Sequence, residues 1–253
     1  MELNYKSFGQ GDPIIILHGL FGTLDNWQTI AKKLADDYLV YIVDLRNHGR
    51  SPHADPMTYE QMAEDIQQFL ENNWIYEANV IGHSMGGKVA MQLALEYPDL
   101  VQKLVVVDIA PKAYAGGHHH IFKALFALDL TTLDSRSAAE EQLRANIEEE
   151  GVRQFLLKNL SRNKEGGYRW KMNLPSIFKH YEDILAPIES SEVFDHPSLF
   201  IKGGQSNYIQ EKDTDLIKSL FPQAIIEQVA QAGHWVHAEA PEELLKLVKY
   251  FVT

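Results

Sequence analysis

The sequence predicts a doubly wound α/β protein whose sheet is mostly parallel, and three observations carry that prediction. Short runs rich in β-branched residues alternate with longer segments of helical spacing. The strand-like runs are almost continuously apolar, as parallel strands covered on both faces require. The alternation breaks once, between Pro111 and Pro197, where the residues read as helices alone.

The elements follow in chain order. A β-branched run at 13–17 reads as the first central strand, 25–35 as a helix and 39–43 as the next strand. Helical spacing at 58–71 leads to a strand at 79–81, and a helix at 85–96 is stopped by Pro98. A further apolar run, 104–108, precedes the break. Within it, 121–130, 135–149, 151–160 and 174–185 read as helices, with no convincing parallel strand among them. A strand at 198–201, a weaker one at 225–229 and a closing helix at 241–251 restore the alternation. These limits divide the chain into an α/β core, residues 1–111 and 197–253, and a helical cap, residues 112–196, folded over the carboxyl edge of the sheet. No internal repeat or low-complexity tract is present.

A chain of 253 residues suits one domain, or one domain with an insertion. Its hydrophobic fraction of 45% and charged fraction of 23% are those of an ordinary globular protein. The formal charge of −12 repels phosphate, and no basic stripe offsets it, which argues against nucleic acid and membrane as partners. With no cysteine, a thiol nucleophile, a thiolate zinc site and a disulfide scaffold are excluded. Residues 1–6 lack the layout of a signal peptide, and the apolar run at 14–17 is far too short to span a bilayer. The expectation is a cytoplasmic monomer or homodimer.

Gly82-His83-Ser84-Met85-Gly86 is a G-x-S-x-G sequence between an apolar strand and a helix, the context in which such a pentapeptide exposes a nucleophile. Glycines two residues either side of Ser84 remove side chains that would clash in so tight a turn. The hydroxyl then stands at a helix N-terminus, where the dipole favours developing negative charge. A serine hydroxyl is a poor nucleophile near neutral pH and needs a base. His234, preceded by glycine in the loop before the closing helix, is the candidate, and His237 is its rival.

His18-Gly19-Leu20-Phe21-Gly22 directly follows the first central strand, where a loop supplies one backbone N–H to an oxyanion while the residue after the nucleophile supplies another. Leu20 and Met85 are the expected donors, Phe21 is the substitute for Leu20, and His18 braces the loop. The acid is harder to place. Its usual position in this architecture, after the strand at 198–201, reads Gly203-Gly204-Gln205-Ser206-Asn207 and carries no carboxylate. Asp108 ends the preceding strand on the same carboxyl edge, with a capping or ion-paired aspartate as its competing role. Asp195 falls at the wrong end of a strand, and Asp213 lies too far into the next helix.

Other features carry less. The run from Asp44 to Ser51 reads as a bracing loop rather than as a substrate contact through Arg46 or Arg50. His118-His119-His120 cannot converge on one ion, because successive helical residues point about 100° apart. No metal is expected, and the run reads as solvated. In the first helix of the insertion, Phe122 and Phe126 form one apolar stripe, while Ile121, Leu125 and Leu128 form another. Two stripes suit one face on the core and one on a ligand, which makes Phe122 and Phe126, with Phe21, candidate substrate-binding residues.

Taken together, His18-Gly19-Leu20-Phe21-Gly22, Asp44-Leu45-Arg46-Asn47-His48-Gly49, Gly82-His83-Ser84-Met85-Gly86-Gly87-Lys88, Val107-Asp108-Ile109-Ala110-Pro111 and Gly233-His234-Trp235-Val236-His237-Ala238-Glu239 carry a family resemblance. The chain resembles the capped α/β-hydrolase superfamily over essentially its whole length, and within it the small bacterial esterases of the YbfF type. That resemblance implies the α/β-hydrolase fold with a helical cap inserted after the sixth strand. It also implies a serine carboxylic ester hydrolase without cofactor, acting on small to medium acyl esters and extending to acyl thioesters, with Asp108 as its acid. Two other classes stay open: a C–C bond hydrolase or lyase using the same triad, and a non-catalytic ligand receptor on this fold.

Overall fold

The computed structural model describes residues 1–253. The first half of the chain runs β1 (Tyr5–Phe8), β2 (Pro13–Leu17), α1 (Gln28–Leu34), β3 (Leu39–Val43), α2 (Tyr59–Asn72), β4 (Ala78–His83), α3 (Met85–Glu96) and β5 (Val101–Val107). Then follow α4 (His119–Ala127), α5 (Arg136–Arg144), α6 (Glu150–Leu157), β6 (Leu160–Arg162), β7 (Tyr168–Trp170), α7 (Leu174–Lys179) and α8 (Tyr181–Leu185). The chain closes with β8 (Ser198–Gly203), α9 (Thr214–Leu220), β9 (Ala224–Val229), α10 (Val236–Glu239) and α11 (Pro241–Val252).

Seven strands form one sheet in the order β1-β3-β2-β4-β5-β8-β9, with only the edge strand β1 antiparallel to its neighbour. From β2 the chain moves out to β3, then crosses back over β2 to reach β4, so the direction of winding reverses between β2 and β4. Loops leaving such a switch point diverge and open a crevice at the carboxyl edge. Register levels the strand ends around it: Leu17 pairs with Gly82, His83 with Val107, and Val107 with Ile201.

The continuous apolar runs are explained by two covered faces. Ile14, Ile16, Val105 and Val107 cluster with Ile30 and Leu34 of α1 and with Leu244 and Val248 of α11. Their sequence neighbours Ile15, Leu17 and Val106 cluster instead with Met62 and Ile66 of α2 and Val89 and Leu93 of α3. Successive strand residues point to opposite faces, so both faces must be apolar.

Some elements depart from the sequence expectation. Tyr5–Phe8 has no apolar alternation because its side chains sit on an exposed edge, yet it pairs with β3. With a single strand at that edge, the insertion follows the fifth strand of the chain and not the sixth. Nor is the insertion all helical. Leu160 ends no helix but pairs with Trp170 in the hairpin β6–β7, whose turn uses Gly166 and Gly167 at positive φ. Strands this short leave no readable periodicity. The segment expected as one helix at 174–185 is divided at His180, whose ring sits 3.2 Å from Asp55 and 2.8 Å from Asp183.

The insertion shares its apolar core with the α2–α3 side of the sheet through side chains such as Phe122, Leu156 and Ile177. Polar stitches add to this. The Tyr59 hydroxyl donates to Ile184 O at 2.6 Å, Asn159 Nδ2 to Phe21 O at 2.6 Å, and Ser176 Oγ to Asp55 Oδ1 at 2.6 Å. The loop after β3 is braced from within. Asp44 accepts the N–H groups of Leu24 and Arg50 at 2.8 and 2.9 Å. Arg46 is buried and donates to Asp65 at 2.5 Å, as well as to the carbonyls of Pro56 and Gln61.

Asp65→Ala would leave that guanidinium buried without its counter-charge, a change that costs about 3–5 kcal/mol. Urea unfolding is expected to show a loss of that size. An unchanged midpoint would remove the ion pair as a support of this loop.

Candidate active site

Ser84 occupies the turn between β4 and α3 with φ 53° and ψ −122°, a conformation that costs a non-glycine residue about 1–3 kcal/mol. Its surroundings enforce that geometry. A β carbon on Gly86 would stand 2.5 Å from the carbonyl oxygens of Leu17 and His18, so α3 reaches the end of β2 only because residue 86 has no side chain. A β carbon on Gly82 would likewise collide with the backbone of Gly86 and Gly87.

The structure brings Ser84, His234 and Asp108 together. His234 Nε2 lies 3.0 Å from Ser84 Oγ, and His234 Nδ1 lies 2.7 Å from Asp108 Oδ2. A carboxylate oxygen only accepts, so Nδ1 carries the proton and Nε2 is free to accept one. Asp108 is fully buried and takes φ 51° directly after β5. Its Oδ1 accepts the Gly203 N–H at 2.9 Å, and its Oδ2 also accepts the Ser206 hydroxyl. Ser206 thus stands in the loop that lacks a carboxylate and donates to the carboxylate arriving from the neighbouring strand.

Several residues position the imidazole that sequence reasoning did not single out. Tyr208 stacks on His234 with ring centroids 3.8 Å apart and planes at 17°. Glu239 accepts the N–H groups of Gly233 and Trp235 at 2.6 and 3.3 Å, which pins the loop on both sides of His234. His83 donates Nε2–H to the His234 carbonyl at 2.9 Å. The contacts of Tyr208 and His83 are long-range, and no local pattern announces them. The rival base, His237, stacks on Trp27 at 4.6 Å and makes no hydrogen bond to Ser84 or Asp108.

Beside Ser84, the N–H groups of Leu20 and Met85 have no acceptor within the protein. Phe21 N–H is committed to His48 Nε2 at 3.3 Å, which removes it as the substitute donor. His18 supports the same loop by donating Nδ1–H to Gly19 O at 2.9 Å and accepting Leu45 N–H at 3.1 Å. Burial pushes His18 down to about 4 and His48 and His237 down to about 3, and it holds His83 well below the usual histidine range. These rings are therefore neutral near pH 7, as the paired donor and acceptor roles of His18 and His48 require.

A cavity of about 600 Å³ opens above Ser84 and His234, lined mainly by apolar side chains. Phe21 and Ile121 line it, but Phe122 and Phe126 do not. Phe122 is buried against Phe21, Phe178 and Tyr181, with ring centroids 5.0–5.1 Å apart. Phe126 is about half exposed and packs edge-on against Phe178 on the outside of the insertion. The stripe at 122 and 126 thus belongs to the packing of α4, and the other stripe supplies the cavity residue. His118 also departs from its solvated reading: it lines the cavity and its Nδ1 lies 2.7 Å from the Tyr181 hydroxyl. Arg46 and Arg50 lie outside the cavity lining, in keeping with a bracing loop.

Residues 12–241 match the family described as alpha/beta hydrolase fold. Over 241 residues the chain is 41% identical to the esterase YbfF of Escherichia coli (strain K12), an alignment covering 95% of this chain and 92% of that protein. It is also 41% identical over 263 residues to the sn-1-specific diacylglycerol lipase ABHD11 of Danio rerio, covering 100% of this chain and 83% of that protein. A solved structure described as a marine microorganism esterase superposes with a TM-score of 0.97 at 44% identity, over 99% of each chain.

Ser206→Ala would take one donor from the buried carboxylate of Asp108 and put nothing in its place. The expected loss of folding free energy is about 1–3 kcal/mol, read from chemical unfolding. A loss below about 0.5 kcal/mol would show that this hydroxyl is not needed to hold the charge.

Proposed function

The chain belongs to the α/β-hydrolase fold family, and from that membership we infer a serine carboxylic ester hydrolase that works through an acyl-enzyme on Ser84. The observation that carries the mechanism is the unbroken line from Ser84 Oγ through His234 to Asp108, at 3.0 and 2.7 Å. In the proposed first step Ser84 Oγ attacks the ester carbonyl while His234 Nε2 takes its proton. The N–H groups of Leu20 and Met85 receive the oxyanion, and the Asp108 carboxylate stabilises the imidazolium. His234 then gives the proton to the leaving alkoxide. A water molecule, deprotonated by the same nitrogen, cleaves the acyl-enzyme and restores Ser84. Ester and water become acid and alcohol, with no cofactor in the scheme.

Residues 112–196 act in this reading as the cap that closes the acyl site. The cavity volume falls in the range of small-molecule sites, and its apolar lining suits an acyl chain of small to medium length. A small-molecule ester is the proposed partner. No helix is long and apolar enough to cross a membrane.

Ser84→Ala is expected to lower kcat by about 10⁴- to 10⁶-fold against p-nitrophenyl esters, with the far-ultraviolet dichroism unchanged. Asp108→Asn, which keeps the shape and loses the charge, should cost about 10⁴-fold. Activity in Ser84→Ala above about a hundredth of wild type would overturn the nucleophile assignment. A parallel panel of acyl thioesters and diketones separates ester from thioester and C–C bond hydrolysis.

The cavity lining also ranks the residues that set acyl-chain preference. Ile121→Trp should shift that preference towards shorter chains, while Phe126→Ala should leave the profile where it is. A profile that moves with residue 126 and ignores residue 121 would place the acyl chain elsewhere.

A further inference from the structure

We propose that the ester accepted by this site carries a carboxylate, and that Lys88 is the residue that binds it. The inference rests on Ser84 as the nucleophile and names the charge class of its substrate. Lys88 lies in the first turn of α3, where its backbone N–H donates to Ser84 O at 3.1 Å. It is 1% exposed, yet its side chain lines the cavity. No other lysine or arginine does so.

Lys88 is a buried amine with no anion beside it. None of the ion pairs of the protein includes it. Its Nζ donates one hydrogen bond, to Ala186 O, and lies 5.4 and 5.0 Å from the ring centres of Tyr59 and Tyr114. The phenol groups of those rings are already committed. Tyr59 donates to Ile184 O at 2.6 Å, and Tyr114 donates to Tyr208 O at 2.8 Å while accepting the Ala110 N–H at 2.9 Å. An ammonium carries three donors, so the bond to Ala186 leaves two for a ligand in the cavity.

A buried charge is costly to keep unless it is paired. Burial pulls Lys88 down to about 7, which is how a lysine behaves when no carboxylate offsets its desolvation. If the only task were to stitch the end of α8 to the core, a neutral donor would suffice, as the Tyr59 hydroxyl does at Ile184. A ligand carboxylate supplies the missing charge. One ammonium between two aromatic rings matches a monoanion. A phosphate would call for further cations or a nest of backbone N–H groups.

Three pairs of esters of nearly equal shape test the proposal. Monomethyl glutarate is compared with methyl pentanoate, and monomethyl adipate with methyl hexanoate, which places the charge on the acyl arm. The 4-acetoxybutanoate anion is compared with butyl acetate, which places it on the alcohol arm. In at least one pair, kcat/KM of wild type should favour the anion by about tenfold or more, the worth of a charge-assisted hydrogen bond. That ratio should fall about tenfold in Lys88→Gln, which keeps a donor for Ala186 O and removes the charge. Taking ratios within one protein cancels any loss common to both substrates.

A wild-type enzyme that hydrolyses the neutral member of every pair at least as well overturns the proposal, as does a preference that survives in Lys88→Gln. Should that variant not fold, the wild-type ratios alone decide. If neither member of any pair is turned over, it is the reading of the site as an ester hydrolase that fails.

Discussion

At Gly86 the first turn of α3 comes so near the end of β2 that an added β carbon would stand 2.5 Å from two carbonyl oxygens, those of Leu17 and His18. Helix and strand end approach this closely only with nothing between them. The approach sets Met85 beside the loop that starts at His18, so Leu20 and Met85, from distant parts of the chain, line one cavity with Ser84. It also leaves Ser84 no room to relax from its positive φ. Register does the remaining work, since Leu17, Gly82 and Val106 lie level across three strands. Were residue 86 any larger, the turn at Ser84 and the loop from His18 would have to separate.

Electrostatics around this approach are arranged by exclusion. His18, His48, His83 and His237 sit close to the site, and burial keeps each of them uncharged near neutral pH. His18 and His48 serve as donor–acceptor struts between backbone groups, and His83 ties the His234 carbonyl in place. The one buried carboxylate in direct contact with His234 is Asp108, held by the Gly203 N–H and the Ser206 hydroxyl as well as by the imidazole. In the proposed mechanism, a positive charge forming on His234 therefore meets a fixed anion in Asp108.

Much of this was legible in the sequence because it is local. The strand–helix alternation, the G-x-S-x-G turn and the glycine-flanked loop at residue 234 are short patterns with a direct steric meaning. Asp108 was legible by elimination and by family resemblance, since the loop at 203–207 offers no carboxylate. What escaped depends on contacts between distant segments. Tyr208 meets His234 only through the fold, and β1 is an edge strand without an apolar face. The double stripe of α4 showed that two faces are covered but could not tell which one meets the cavity. Phe122 and Phe126 went to aromatic packing, and Ile121 went inward.

β5 and β8 meet at His234. Ser206 on the β8 side bonds the same oxygen of Asp108 that accepts the His234 proton, so positions 206 and 108 address one point in space. Asp108 follows β5 and Ser206 follows β8. The two strands are alternative seats for a single negative charge.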